Sequence, residues 1–279
     1  MRSRLLVLAT ALLLSLTACA APKIALDPLL KAQVDAAAQV ARTAERPMAV
    51  FVGAAMDGSS TAFVGDVRLA ELQLRHQAPQ LAVLRLANGA PKPADWPGAS
   101  SASLRQALAS AGALLPSDGR NARAVVLLSS HGGKGLLSLA ATERDNAVAD
   151  ARQLEAWLEP LGRTPTLLII SACYSGSLIP ALQQPNRIII TAAAANRASF
   201  GCDVDSSDTY FIEELFGSRF DADVPITEWF RQARQGVSAR EKAMKLSPAS
   251  NPQIWIADGM KPMAAQSLAA WLGGETPSR

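Results

Sequence analysis

The chain has 279 residues, 49% of them hydrophobic and 18% charged, so it can bury a sizeable core and is neither disordered nor collagen-like. Three cysteines exclude a disulfide framework, and two histidines argue against a histidine-rich metal site. The 27 Lys and Arg residues against 24 Asp and Glu are scattered rather than clustered, which excludes a nucleic-acid footprint.

Arg2 and Arg4 precede an apolar run from Leu5 to Leu16. The run is shorter than the roughly 20 residues a membrane span needs and has the layout of a secretory signal. Residues 1–18 are therefore read as a leader that is removed, a plain signal cleaved after Ala18 being the alternative to lipid attachment. The end of the run, Leu16-Thr17-Ala18-Cys19, resembles the bacterial lipobox. That resemblance implies a lipidated Cys19 holding the protein on a membrane, and Ala20 after it points to the outer membrane with the folded part facing the periplasm. Three acyl chains exceed what stable attachment requires. Loss of Arg2 and Arg4 leaves 25 basic and 24 acidic residues, a net charge of +1, so electrostatic steering is not expected.

Residues 19–46 are read as a tether, with a helix suggested by Asp27-Pro28 and by Leu29, Leu30, Val34, Ala37 and Ala41 at helical spacing. From residue 47 to 279 the pattern changes to a single α/β domain. Short, almost continuously apolar runs are expected as strands covered on both faces: Met48–Ala54, Leu81–Leu86, Ala124–Ser129, Thr166–Ile170, Arg187–Thr191 and Gln253–Ala257. Between them helical periodicity predicts helices over Asp66–His76, Ser100–Ala113, Val148–Leu161, Gly176–Gln184, Asp208–Phe216 and Ile226–Leu246. This alternation predicts a doubly wound, mostly parallel sheet. Trp229, Phe230 and Trp255 are expected in the core, while the Pro-rich stretch Asn88–Ser100 and the polar Asp203–Asp208 read as loops.

Two of the predicted strands run into reactive groups. One leads to Ser130-His131-Gly132-Gly133, the other to Ser171-Ala172-Cys173-Tyr174-Ser175-Gly176-Ser177. In a parallel sheet both sequences lie at the carboxyl edge, where such folds place their chemistry. A cysteine at a strand-to-helix junction is favoured as a thiolate, a histidine on the next strand can take its proton, and Gly132 lets the backbone come close. The N–H of Gly132 and that of Cys173 are then candidate oxyanion donors. His131 and Cys173 are 42 residues apart, close to the separation of about 50 found in caspases. The competing reading is an inert buried thiol and a histidine that merely ends a strand.

These motifs, with Thr191-Ala192-Ala193, Ser199-Phe200-Gly201-Cys202, Thr209-Tyr210-Phe211, Arg240-Glu241 and Ser250-Asn251-Pro252-Gln253-Ile254, resemble in content and order the legumain-like cysteine peptidases, particularly a bacterial lipoprotein branch. The resemblance spans most of residues 47–260. It implies the caspase-like three-layer α/β/α fold, with His131 as general base and Cys173 as nucleophile forming a thioester with a peptide substrate. It also implies a pocket for the residue before the scissile bond near Ala198, Ser199 and Glu213, Glu213 serving as an acidic floor unless it is simply a solvated helix carboxylate. Asn-selective members carry an acidic residue where this chain has Ser171, a departure that weakens the case for Asn selectivity. The histidine-orienting Asn of legumain has no clear counterpart in Met56–Phe63, which leaves a backbone carbonyl as the expected partner of the imidazole. Arg75-His76-Gln77-Ala78 looks like a pocket motif but lies too close to the second strand, so His76 is read as a surface residue at a helix end.

Cys202 has a family counterpart that is not catalytic, although an oxidising compartment would allow it to pair with Cys173. The reading is a membrane-anchored cysteine endopeptidase. Its alternatives are a transamidase or transpeptidase with the same dyad, or an inactive peptide-binding scaffold. No metal or organic cofactor is implied, nor any nucleic-acid partner, and no pattern specifies an oligomeric state.

Overall fold

A computed structural model describes residues 25–43, 47–89, 91–116, 121–142, 144–203 and 206–273. The expected leader, residues 1–18, and Cys19, the expected site of lipidation, lie outside them.

The elements are, in order, α1 (Pro28–Thr43), β1 (Met48–Ala55), α2 (Ala62–Gln77), β2 (Ala82–Ala87), α3 (Ser101–Leu114), β3 (Ala122–Ser129), β4 (Gly132–Gly133), β5 (Leu136–Ser138), β6 (Val148–Asp150), α4 (Ala151–Leu158), β7 (Thr166–Ser171), α5 (Ile179–Leu182), β8 (Arg187–Thr191), α6 (Tyr210–Phe216), α7 (Ile226–Ala243), β9 (Gln253–Ile256), α8 (Lys261–Ala264) and α9 (Leu268–Leu272). Six strands form one sheet in the order β2-β1-β3-β7-β8-β9, and only β9 runs antiparallel to its neighbour. The chain steps from β1 outward to β2, then returns past β1 to build β3 on the other side. The topological switch therefore lies between β1 and β3, the place where sheets of this kind put their binding crevice, beyond the carboxyl ends.

All eight residues of β1 are buried, which is why it reads as an unbroken apolar run. Its side chains alternate between two cores. Phe51 and Ala55 pack with α2, α6, α7 and α9, while Val50, Val52 and Ala54 pack with α1, α3 and α4. The result is the expected three-layer α/β/α sandwich. Trp229 and Phe230 lie in the first core, and the indole N–H of Trp229 donates to the Leu215 carbonyl at 2.6 Å, tying α7 to α6. Trp255, on the edge strand β9, is only half-buried.

The six main strands fall where expected to within two residues, but three local readings change. First, α1 is not a loose tether: Leu30 is buried, and Gln33 both accepts from the Arg85 N–H at 2.6 Å and donates to the Arg85 and Asp95 carbonyls. The helix thus closes one face of the sheet beside β2. Second, residues 148–150, expected to open a helix, form β6 of a small antiparallel sheet β4-β5-β6. The helix starts later because Asp150 is an N-cap, its carboxylate accepting from the Gln153 N–H at 2.8 Å while Gln153 Oε1 accepts from the Asp150 N–H at 3.0 Å. Third, α2 begins at Ala62, so Asp66 is not its first residue but lies a turn inside and is fully buried. No helix among the described residues is long and apolar enough to cross a membrane.

Candidate active site

Period-2 alternation puts Val125, Leu127 and Ser129 of β3, and Leu167, Ile169 and Ser171 of β7, toward the α2 side of the sheet. Ser129 and Ser171 are register partners, so His131 and Cys173 each follow by two residues from adjacent, level strand ends. The two loops touch. A Cβ built on Gly132 would lie 2.3 Å from the Cys173 carbonyl oxygen, so only glycine allows this approach.

The backbone around these residues leaves donors unspent. The Ser138 N–H donates to the His131 carbonyl at 2.9 Å, which makes Gly132 and Leu137 the non-hydrogen-bonded pair of the β4–β5 ladder. The Gly132 N–H consequently points away from β5. The Cys173 N–H has no hydrogen bond among the described residues, whereas the next N–H, that of Tyr174, donates to the Arg197 carbonyl at 2.7 Å. Tyr174 holds φ at 57°, a left-handed conformation rare outside glycine, and so turns the chain sharply just after the cysteine. The segment that follows is a 3-10 turn over Ser175–Leu178 and the single turn of α5, not the long helix expected over Gly176–Gln184. The macrodipole expected from a long helix is therefore not available at this position. The Ser199 N–H donates to Cys173 Sγ at 3.3 Å, the thiol donates to the Ser199 carbonyl at 3.6 Å, and the Ser199 hydroxyl lies 3.7 Å from the sulfur.

His131 and Cys173 make no direct hydrogen bond to each other. The imidazole is held from the other side: Nε2 lies 3.1 Å from Ser59 Oγ, and Ser59 Oγ donates to Asp57 Oδ1 at 2.6 Å. Phe63 and the imidazole make a T-shaped contact, 5.0 Å between centroids and 87° between planes. A side-chain hydroxyl, rather than the backbone carbonyl expected from sequence, is thus the partner of the imidazole.

Beneath the pair sits a buried polar cluster that was not foreseen. The Asp66 carboxylate accepts from Ser129 Oγ at 2.6 Å and from the Thr209 N–H at 2.8 Å, with Thr209 Oγ1 at 2.9 and 3.2 Å from its two oxygens. Ser171 Oγ lies 2.9 Å from Thr209 Oγ1. Burial pushes the Asp66 carboxyl up to about 7, while the hydrogen bonds from Ser129 and Thr209 pull it down. Ser171, expected as a pocket residue, is consequently a buried member of this cluster.

The other expected pocket residues separate. Ala198 and Ser199 are half-buried, and Ser199 is beside the thiol. Glu213 is exposed, and its carboxylate is taken by Arg240, whose guanidinium lies 3.7 Å over the Tyr210 ring. It is a surface ion pair, not a free acidic floor. Asp208 is a half-buried acid nearby, its carboxyl raised above its ordinary value first by burial. Cys202 and Cys173 are both free thiols. Burial, with Cys173 and Asp203 adding to it, pushes the Cys202 thiol up to about 11, so it stays protonated at neutral pH. His76 is exposed at the end of α2, as expected. Among the described residues no group of three or more His, Cys, Asp or Glu is placed to hold a metal ion.

Asp57, Ser59, Asp66 and Thr209 are the residues that sequence reasoning missed. A signal was present for the first two: Asp57-Gly58-Ser59-Ser60 follows β1 just as the His131 and Cys173 groups follow β3 and β7.

The peptidase C13 family model matches residues 104–262, which covers α3 through the start of α8. No curated protein matches the chain. More than half of the sequence carries the family pattern, on a mixed α/β fold with the six-stranded, mostly parallel sheet that suits it, and the chain belongs to the peptidase C13 family of legumain-type cysteine peptidases.

Proposed function

We propose that the protein is an endopeptidase in which Cys173 is the nucleophile and His131 the general base. The observation that carries this reading is the pairing of the two residues at level ends of neighbouring parallel strands, with Gly132 packed against the Cys173 carbonyl. In the reaction His131 takes the thiol proton, and the sulfur attacks the carbonyl carbon of an extended peptide. The Gly132 and Cys173 N–H groups, both unspent, hold the oxyanion that develops. His131 returns its proton to the leaving amine, a thioester remains on Cys173, and water assisted by His131 releases the acid. The Ser199 N–H donates to the sulfur and holds it in place before attack, and Ala198 with Ser199 lines the side on which substrate enters.

The domain spans residues 47–279 with α1 docked on it, and lipidated Cys19 holds it on the outer membrane facing the periplasm. The support for this last part is the lipobox-like Leu16–Cys19 segment.

Brief iodoacetamide treatment of the purified protein, read by peptide mass spectrometry, tests the dyad. Rapid labelling of Cys173 that slows in His131→Ala, with Cys202 silent, is the expected result. Equal slow labelling of both thiols overturns it. A peptide library then gives cleavage products, and adding free amines shows whether an acceptor other than water resolves the thioester. An N-terminal peptide from the membrane fraction carrying a lipidated Cys19 is the expected result for anchoring, and an unmodified one refutes it.

A further inference from the structure

We propose that Ser59, backed by Asp57, is a positioning residue that locks His131 in its Nε2–H tautomer and leaves Nδ1 as the basic atom. The catalytic consequence rests on the reading of His131 as general base, whereas the tautomer does not.

The argument is one of proton counting. Asp57 Oδ1 accepts from the Ser59 backbone N–H at 2.9 Å and from Ser59 Oγ at 2.6 Å, so this oxygen is an acceptor. A serine hydroxyl carries a single proton, and that proton is committed to Asp57. Toward His131 Nε2, 3.1 Å away, Ser59 Oγ can therefore only accept, and the ring must supply the hydrogen from Nε2. A neutral imidazole with its proton on Nε2 has a bare lone pair on Nδ1, and Nδ1 makes no hydrogen bond among the described residues.

The segment carrying this device is held in advance of any substrate. Gly58 approaches Gly89 and the Ala141 carbonyl so closely that a Cβ would lie 2.5 and 2.4 Å from them. The Gly58 N–H donates to the Ala140 carbonyl at 2.8 Å. Buried Asn88 donates to the Met56 carbonyl at 2.8 Å and to the Leu139 carbonyl at 3.0 Å, stapling the loop after β1 to the strand-end turn after β5. Ser60 Oγ bonds the Asp203 carbonyl at 3.2 Å and accepts from the Ala62 N–H, which anchors the other end where α2 begins. Phe63, one residue into that helix, makes the T-shaped contact with the ring. The loop and the histidine belong to β1 and β3, the two strands that flank the topological switch, so the sheet order itself brings them together.

In the reaction the Sγ–H bond of Cys173 breaks, its electron pair stays on sulfur, and the proton forms a new bond to Nδ1. The imidazolium so formed keeps its Nε2–H on Ser59 Oγ, whose dipole is polarised by the Asp57 carboxylate. The ring thus keeps one fixed hydrogen-bond partner through the transfer, with Asp57 reaching it only through Ser59.

The chain has only two histidines, which makes the test direct. Long-range proton–nitrogen NMR spectra of the full-length protein labelled with 15N-histidine, assigned with His76→Gln, report the tautomer of His131. The expected wild-type spectrum has a protonated Nε2 and an unprotonated Nδ1. Ser59→Ala is expected to give a mixture of tautomers, and Ser59→Thr, which keeps a hydroxyl, to restore the single form. Turnover should follow the spectra, with kcat falling roughly ten- to a hundredfold in Ser59→Ala at nearly constant KM, a part of the 10²–10⁴ that general base catalysis contributes. Protonation of Nδ1 in the wild type, or a Ser59→Ala spectrum like the wild type, overturns the proposal. If no peptide is cleaved while the tautomer behaves as stated, it is the peptidase reading of His131 that fails.

Discussion

Two aspartates nine residues apart, Asp57 and Asp66, stand at the same sheet edge in contrasting surroundings. Asp66 is fully buried in α2 and receives hydrogen bonds from β3 through Ser129 and from the start of α6 through Thr209, with Ser171 of β7 joined through Thr209. Asp57 is also buried but reaches one functional group, His131, through the single hydroxyl of Ser59. The first clamps the strand ends that carry the dyad, and the second addresses the base itself. An acid's place in its network, more than its depth of burial, decides whether it serves the scaffold or the chemistry.

The comparison makes stability the readout for Asp66 and turnover the readout for Asp57. The largest effect is expected from Asp66→Ala, which strands the Ser129 hydroxyl and the Thr209 N–H in the core. At about 1–3 kcal/mol for each buried group left unpaired, denaturant unfolding should show a loss of roughly 3–5 kcal/mol. An inactive Asp66→Ala protein with unchanged stability would break the comparison at once.

The pH dependence of unfolding sharpens it next. Burial pushes the Asp66 carboxyl up to about 7 in the folded protein, from an ordinary value of 3.8. Between these values the folded chain binds more protons than the unfolded one, so the contribution of Asp66 to stability falls as pH rises from about 4 to 7. In Asp66→Asn, which cannot ionise, melting temperature should lose this downward component over the same window. A wild-type and variant pair with parallel pH profiles would refute the assignment.

A smaller effect is expected from Asp57→Asn, which keeps an acceptor oxygen for Ser59 but removes the charge. Here kcat should fall about tenfold while the unfolding midpoint barely moves, since general base support is trimmed rather than removed. A drop in stability as large as that of Asp66→Ala would place Asp57 with the scaffold. Least of all should follow from Glu213→Gln, which breaks a surface pair with Arg240. Such pairs contribute about 0–1 kcal/mol, so unfolding and peptide hydrolysis should both stay near wild type. Loss of activity on basic substrates alone would restore Glu213 to the pocket.

Much of this was legible from residues alone. Each central strand is covered on both faces, so Val, Ile and Leu run without interruption and announce the strand with its limits, as in Arg187–Thr191. His131 and Cys173 stood out because each breaks such a run at its carboxyl end. The strands β4, β5 and β6 were invisible because two or three residues are too few to show a period, and residues 148–150 were absorbed into the helix that follows. Glu213 was assigned to the pocket from the family resemblance, and its partner Arg240 is 27 positions away on α7, a distance over which a single sequence carries no pairing signal.

What the sequence by itself determined is local: the alternation of apolar runs and helical periods, and with it a three-layer α/β/α sheet whose carboxyl edge bears a histidine and a cysteine. Those features depend on neighbours within a few residues and on the need to bury apolar surface. Only the tertiary structure decided that β1 lies beside β3, so that Asp57 and Ser59 reach His131, that Asp66 joins β3 to α6, and that α1 closes the sheet as part of the domain. Hydrogen bonds are directional and act over about 3 Å, so a network between residues 63 to 143 positions apart exists only once strand order and register have brought its members together.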